Sequence, residues 1–179
     1  MSLMAFARGQ SAVIVPIPAA EPLVRRWRAK FDPAAAAGIP AHVTVIYPFL
    51  NDERLTSDVL DDLLRIVAGH PSFRVTFAVC GNFPDVLYLA PDPEAPFRRL
   101  TQDLVTRWPE APPYGGTIRD PTPHLTVTHG ATPDQVAKAD IDMASQLPLT
   151  ARIEQAALIT FDGMAWSLRR ALPLGKPDA

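Results

Sequence analysis

Apolar and polar positions along the chain change period several times, and each period predicts a different element. The β-branched run SAVIVPI (11–17) predicts a short buried strand. Apolar residues at helical spacing predict helices near 23–31, 57–69, 96–108 and 133–147. Alternation in 73–80, the turn sequence GNFPD and the apolar run 86–90 predict a β-hairpin.

Two segments with a strand pattern, 41–50 and 123–130, lie between the predicted helices. A further hairpin is predicted from 151–161 and 164–172, joined around Asp162-Gly163. PEAPPYGGTIRDPTP (109–123) contains too much proline and glycine for a helix or a strand, so it predicts a long loop. Long loops in compact domains are often functional.

The order of these elements is nearly repeated in the two halves of the chain and predicts an α+β fold. We expect a bilobal, pseudo-symmetric molecule whose two largely antiparallel sheets line a central cleft, with helices on the outside. The expected divisions are an N-terminal segment (1–10), a single domain (11–175) and a tail (176–179). Met4 could be a natural start, which would make residues 1–3 a cloning remnant.

Polar side chains interrupt the two apolar strands 41–50 and 123–130 in the same way. AHVTVIYPFL carries His42 and Thr44, and PHLTVTHG carries His124 and Thr126, 82 residues further along. Alternate residues of a strand share a face, so each His and Thr pair points one way, roughly 7 Å apart. If the strands lie side by side about a pseudo-two-fold axis, all four side chains line one cleft.

Two imidazoles and two hydroxyls suit a phosphodiester substrate. Hydroxyls can donate to non-bridging phosphate oxygens, and two histidines can serve as general base and general acid without a metal. Such a pair predicts a bell-shaped pH dependence with its maximum between roughly pH 5.5 and 8. Strict alternation turns Tyr47 and His129 to the face opposite the motif histidines.

Residues around the motifs supply candidate substrate contacts. Arg119, in the long loop, could pair with a phosphate or remain solvated. Tyr47 and Tyr114 could stack on a base. Phe49 and Trp166 could do the same, but packing in the core is the favoured interpretation for both.

Composition limits the classes of partner. The chain has 179 residues, 47% of them hydrophobic, and a net charge of −2, which argues against a protein that coats nucleic acid. It has no apolar run of roughly 20 residues and no secretory signal pattern, so we expect a cytoplasmic protein with no membrane partner. The lone Cys80 is expected to be a small buried hydrophobic residue.

Other catalytic chemistries lack their sequence signatures. A zinc site would need clustered His or Cys ligands, and no His-x-x-x-His pair occurs. No Gly-x-Ser-x-Gly turn supports a serine nucleophile, and no Lys-Ser or Lys-Thr follows the glycines of PPYGG as in a phosphate loop. We therefore expect no metal and no cofactor.

The paired His-x-Thr-hydrophobic elements resemble the signature of the two-histidine phosphoesterases, in particular the 2′-5′ RNA ligase-like branch. FPDVLYLAP (83–91), RWPEAPPYGG (107–116) and PHLTVTHG (123–130) are similar to stretches of bacterial members, and the resemblance runs from about residue 12 to 174. It implies a bilobal α+β fold and metal-independent chemistry on 2′-5′ linkages or cyclic phosphates. It also implies catalysis by His42 and His124, with Thr44 and Thr126 holding phosphate.

The sequence therefore predicts a phosphoesterase that hydrolyses, or reversibly forms, 2′,3′-cyclic phosphate or 2′-5′ bonds in RNA ends or small nucleotides. The alternative is a protein that binds a nucleotide or an RNA end and retains only vestigial activity. The expected partner is a small nucleotide or an RNA terminus, and the expected state is a monomer.

Overall fold

The computed structural model describes residues 6–177, so the suggested remnant 1–3 lies outside the described residues. Its strands are β1 (Ser11–Pro16), β2 (His42–Ile46), β3 (Phe73–Phe83), β4 (Val86–Asp92), β5 (Leu125–His129), β6 (Leu149–Ile153), β7 (Gln155–Phe161) and β8 (Trp166–Pro173). Its helices are α1 (Glu21–Phe31), α2 (Pro33–Ala36), α3 (Ser57–Ala68), α4 (Ala95–Arg107) and α5 (Pro133–Ala144). No helix within 6–177 is long and apolar enough to cross a membrane.

Two antiparallel sheets of four strands form the two lobes. The strand order is β2-β1-β7-β8 in the first sheet and β5-β4-β3-β6 in the second. The strand that carries each His-x-Thr motif is an edge strand in its own sheet. This arrangement confirms the predicted α+β fold with two antiparallel sheets.

One apolar core joins the two sheets and the helices. It includes Val15 of β1, Leu89 of β4, Leu63 of α3 and Met143 of α5, all fully buried. The predicted inward stripe of α4, from Phe97 to Trp108, is also buried in this core. The face of each sheet that points away from this core is left for other contacts, and part of it lines the cleft.

The predicted strand 151–161 is wrong, because the segment forms two strands in different sheets. β6 pairs with β3 in the second sheet, whereas β7 pairs with β1 in the first. The main core explains the break: Ala151 and Ile153 lie in it before Glu154, and Ala156 and Leu158 lie in it after. The positions that face the main core change from odd to even at Glu154, so one continuous strand could not place both sets there.

The N-cap of α3 is Thr56, whose side chain accepts a hydrogen bond from the Val59 N–H. The predicted alternation of β3 needs a correction. In β3, a register shift between Phe77 and Cys80 leaves Val79 61% exposed and Cys80 only partly buried. One extra residue in a strand inverts the alternation that follows, which sequence periodicity alone does not show.

Candidate active site

The edge strands β2 and β5 lie in contact across the two lobes. The motif residues His42, Thr44, His124 and Thr126 line one cavity of about 360 Å³ between them. All four side chains are partly buried, whereas the residues between each His and Thr are fully buried. The strand alternation predicted for the motifs therefore holds, and the structure brings the four residues to one place.

Both motif strands contain a bulge immediately after the threonine. The pairing of β2 with β1 skips Val45, and the pairing of β5 with β4 skips Val127. Each bulge adds one residue and inverts the alternation beyond it. The prediction that Tyr47 and His129 face away is therefore wrong, since both line the cavity with the motifs. Their matched position, five residues after each motif histidine, was the sequence signal for this.

Each motif histidine is held by the backbone in the same way. The Nδ1–H of His42 donates to the carbonyl oxygen of Pro40 at 2.7 Å. The Nδ1–H of His124 donates to the carbonyl oxygen of Thr122 at 2.8 Å. A carbonyl oxygen can only accept, so the proton of the neutral ring lies on Nδ1 and Nε2 is available for proton exchange.

The cavity disfavours the charged form of both imidazoles. Burial lowers the pKa of His42 to about 4, aided by the positive charge of Arg28 and opposed by the carbonyl hydrogen bond and by Asp32. Burial likewise lowers the pKa of His124, aided by His129 and opposed by its carbonyl hydrogen bond and by Asp32. Both rings are therefore neutral at neutral pH until an anion enters the cavity.

A buried ion pair lies close to His42. The Nε–H of Arg28 donates to Asp32 Oδ2 at 2.8 Å, and both side chains are 3% exposed. Arg28 also donates to the carbonyl oxygen of Ile39 at 3.0 Å, and the Ala34 N–H donates to Asp32 Oδ1 at 2.9 Å. Asp32 lines the cavity. Sequence reasoning missed this pair, although its i,i+4 spacing on a helix was visible.

Aromatic rings surround His124 instead. Phe83 and Tyr88 approach its ring edge-to-face, with centroids 5.1 and 5.5 Å away, and stack on each other at 4.4 Å. Tyr88 lies flat across Gly81, where a Cβ atom would come within 2.4 Å of the phenol ring. Glycine at this position therefore permits the aromatic wall that fixes the His124 ring.

Tyr114 reaches the cavity from the long loop with a left-handed backbone. Its φ is 52°, followed by 63° at Gly115 and 77° at Gly116. Such a conformation costs a non-glycine residue about 1–2 kcal/mol. The Tyr114 N–H donates to the carbonyl oxygen of Tyr47 at 2.6 Å, which ties the loop to the end of β2. Burial raises the pKa of Tyr114, and a hydrogen bond with Thr44 opposes the shift.

The remaining aromatic candidates divide between the core and the cavity. Phe49 is buried edge-to-face against Trp108 at 5.1 Å, so its predicted core position is confirmed. Trp166 is only 5% exposed but lines the cavity and packs edge-to-face on Tyr47 at 6.1 Å. Its indole N–H has no hydrogen-bond partner within the described chain.

Arg119 is the one predicted site residue that does not line this cavity. It lines a neighbouring cavity of about 480 Å³ between α4 and the long loop. Thr44 and Tyr114 line both cavities, so the two spaces meet at the first motif. Among residues 6–177, no group of three or more His, Cys, Asp or Glu side chains could hold a metal ion.

Comparisons with known proteins give the family and the fold of the chain. The family model described as the 2′-5′ RNA ligase superfamily matches residues 15–165. TT0787 of Thermus thermophilus is similar with a TM-score of 0.65 and 19% identity, over 94% of this chain and 100% of that one. E. coli LigT complexed with 3′-AMP is similar with a TM-score of 0.60 and 17% identity, over 94% and 99%.

A second structure of E. coli LigT, complexed with NADP+, is similar with a TM-score of 0.57 and 18% identity, over 95% of this chain and 100% of that one. At such identities these similarities show the fold. No curated protein matches the chain at a significant level.

Proposed function

The chain belongs to the 2′-5′ RNA ligase superfamily, and on that premise we propose that it is a metal-independent phosphodiesterase. Its proposed substrates are 2′,3′-cyclic phosphates or 2′-5′ phosphodiester bonds in RNA ends or small nucleotides, which it hydrolyses or reversibly forms. One observation supports this function above the others. His42 and His124 occupy matched backbone positions, each with Nδ1–H bound to a carbonyl oxygen, and line the same cavity from different lobes.

In the proposed reaction the hydroxyls of Thr44 and Thr126 donate to non-bridging oxygens of the scissile phosphate. One histidine Nε2 removes a proton from the attacking water or hydroxyl as its oxygen bonds to phosphorus. The other donates a proton to the ester oxygen that leaves, so no free alkoxide forms. The phosphate anion raises the histidine pKa values and so supplies the protonated form that burial disfavours.

The surroundings of the two histidines favour one assignment of these roles. Burial, aided by the charge of Arg28, lowers the pKa of His42 to about 4, so His42 suits the base. Burial lowers the pKa of His124 as well, but no arginine adds to that shift and an aromatic wall holds its ring, so His124 suits the acid. Asp32 favours the protonated form of both rings.

Substrate contacts outside the motifs follow from the cavity lining. Tyr47 and Tyr114 are proposed to contact the base or ribose, because both line the cavity and are tied together through the backbone. His129 is proposed to contact the phosphate or ribose from the second lobe. Arg119 belongs to the adjoining cavity.

The alternative is a protein that binds a nucleotide or an RNA end with vestigial activity. Structures of LigT complexed with 3′-AMP, ATP and NADP+ support nucleotide binding within this fold. The discriminating experiment offers 2′,3′-cyclic nucleotides, RNA with a cyclic-phosphate end and 2′-5′ dinucleotides to the purified protein. Consumption by the wild type, absent in the double variant His42→Ala/His124→Ala, supports the enzyme. Binding of these compounds without consumption supports the alternative.

A further inference from the structure

The cavity of about 480 Å³ beside the catalytic one has no part in the mechanism above. Its walls are α4 on one side and the loop segment 113–123 on the other. The loop is held in place by Arg98, which pairs with Asp120 at 2.6 Å and with Glu94 at 2.9 Å. Its volume is within the range of about 300–1,000 Å³ typical of small-molecule sites.

One guanidinium in the lining of this cavity has no carboxylate partner. The charged residues lining it, among those the structure describes, are Arg98, Asp120 and Arg119. Arg98 is shared between the carboxylates of Asp120 and Glu94, whereas Arg119 is exposed and makes no ion pair within 6–177. Arg119 is therefore the cationic group of this lining that is available to an anion, with polar groups such as Gln102 nearby.

The cavity is continuous with the proposed phosphate site. The Thr44 side chain lines both cavities, and so does Tyr114. α4 is fixed to the same strand, because Thr101 Oγ1 donates to the carbonyl oxygen of Val45, the bulged residue, at 2.7 Å. A group attached to a phosphate bound by Thr44 can therefore extend past that threonine into the second cavity.

We infer that the second cavity is a subsite for a second phosphate group of the substrate, bound by Arg119. The inference rests on the proposed function and refines it: the preferred substrate carries a further phosphate beyond the one that reacts, as a short RNA with a cyclic-phosphate end does. A guanidinium is suited to this ligand because its N–H groups bind phosphate oxygens in a bidentate manner.

The test compares two substrates that differ by one phosphate. One is a nucleoside 2′,3′-cyclic phosphate, and the other is a dinucleotide with the same cyclic-phosphate end and one internal phosphodiester. The wild type should show the higher kcat/KM for the dinucleotide, chiefly through a lower KM. Arg119→Ala should lower kcat/KM for the dinucleotide by roughly 10- to 100-fold and leave the mononucleotide within about twofold. Arg119→Lys should restore part of the loss.

Two further variants separate this subsite from general charge effects. Arg74→Ala removes an exposed arginine on β3 that lines neither cavity and makes no ion pair within 6–177, and it should change neither substrate. Gln102→Trp fills the second cavity from an exposed position on α4 and should impair only the dinucleotide. Thermal melting of each variant checks that the fold is retained.

The outcomes distinguish the two proposals. If the wild type consumes neither these two substrates nor a 2′-5′ dinucleotide, the proposed function fails and the subsite falls with it. If it consumes only the 2′-5′ dinucleotide, the function stands and the subsite is overturned. If it consumes the mononucleotide but shows no preference for the dinucleotide, the function stands and the subsite is overturned. The subsite is also overturned if Arg119→Ala affects both substrates equally or neither.

Discussion

At the scale of single residues, the two catalytic candidates have matched backbones and different neighbours. His42 lies near the buried Arg28–Asp32 pair, whereas His124 packs against Phe83. The matched backbone positions were predictable, because they follow from strand alternation around two similar motifs. The different neighbours depend on how α1 packs near His42 and β3 near His124, which strand alternation does not predict.

The threonines provide a test of where the phosphate lies. Thr44→Val and Thr126→Val keep the side-chain shape and remove the hydroxyl donor. Each should lower kcat/KM by an amount equivalent to about 1–3 kcal/mol, because a charged oxygen loses a hydrogen bond. Steady-state kinetics on the confirmed substrate measures this, with Thr150→Val, at an exposed position of β6 that lines neither cavity, as the control. Normal kinetics in both motif variants would place the phosphate elsewhere.

The pH dependence should shift from what unperturbed histidines predict. kcat/KM requires one neutral and one protonated imidazole in the free enzyme, so its maximum lies between the two pKa values of the interacting pair. The pKa of His42 is lowered to about 4 and that of His124 is lowered as well. The maximum should therefore lie below about pH 6.5, the ordinary histidine pKa. A kcat/KM profile with its maximum above neutrality would contradict the lowered pKa values.

The direction of some side chains in the site could not be predicted from strand alternation, for a definite physical reason. Tyr47 and His129 reach the cavity only because Val45 and Val127 form bulges, and a bulge depends on pairing with a neighbouring strand. Tyr114 was a candidate contact by residue type, but it adopts a backbone conformation that favours glycine, so nothing local indicates where its ring lies. The motif pairs needed only alternation, which local sequence encodes.

At the scale of elements, α1 and α2 are joined by the charged pair behind the cavity. Arg28→Met should lower the free energy of unfolding by about 3–5 kcal/mol, because it leaves the Asp32 carboxylate buried without its partner. Urea denaturation of the variant measures this. Arg25→Met, at an exposed position on the same helix, is the matched control and should unfold like the wild type. Equal stability of the Arg28 variant would show that the pair contributes little.

The C-terminal strands show how an element can be predicted in type and misplaced in topology. Both β6 and β7 have strand patterns, and each was predicted to be extended. Their assignment to different sheets rests on the break at Glu154, where the positions that face the main core change from odd to even. β6 completes the second sheet, while β7 and β8 complete the first. The chain therefore passes from the second lobe to the first at Glu154.

At the scale of the whole molecule, the proposed chemistry needs both lobes and no metal. Each lobe contributes one histidine and one threonine to the cavity. In the proposed reaction the two histidines supply both proton transfers. Activity should therefore be unchanged after treatment with EDTA, measured against an untreated sample in the same buffer. Loss of activity that one divalent ion restores would show that a metal takes part. The mass of the protein in solution should be that of a monomer.

The most direct test of the two-histidine account is the turnover of His42→Ala and His124→Ala on two phosphodiester substrates. One is the confirmed nucleotide substrate, and the other is a nitrophenyl phosphodiester, whose leaving group departs without a proton. Both variants should lose roughly 10²–10⁴-fold in turnover of the nucleotide, the usual scale for a lost acid or base. Only His124→Ala should recover on the nitrophenyl ester, because it lacks the proposed acid. Near-wild-type turnover of the nucleotide by either variant would contradict the account.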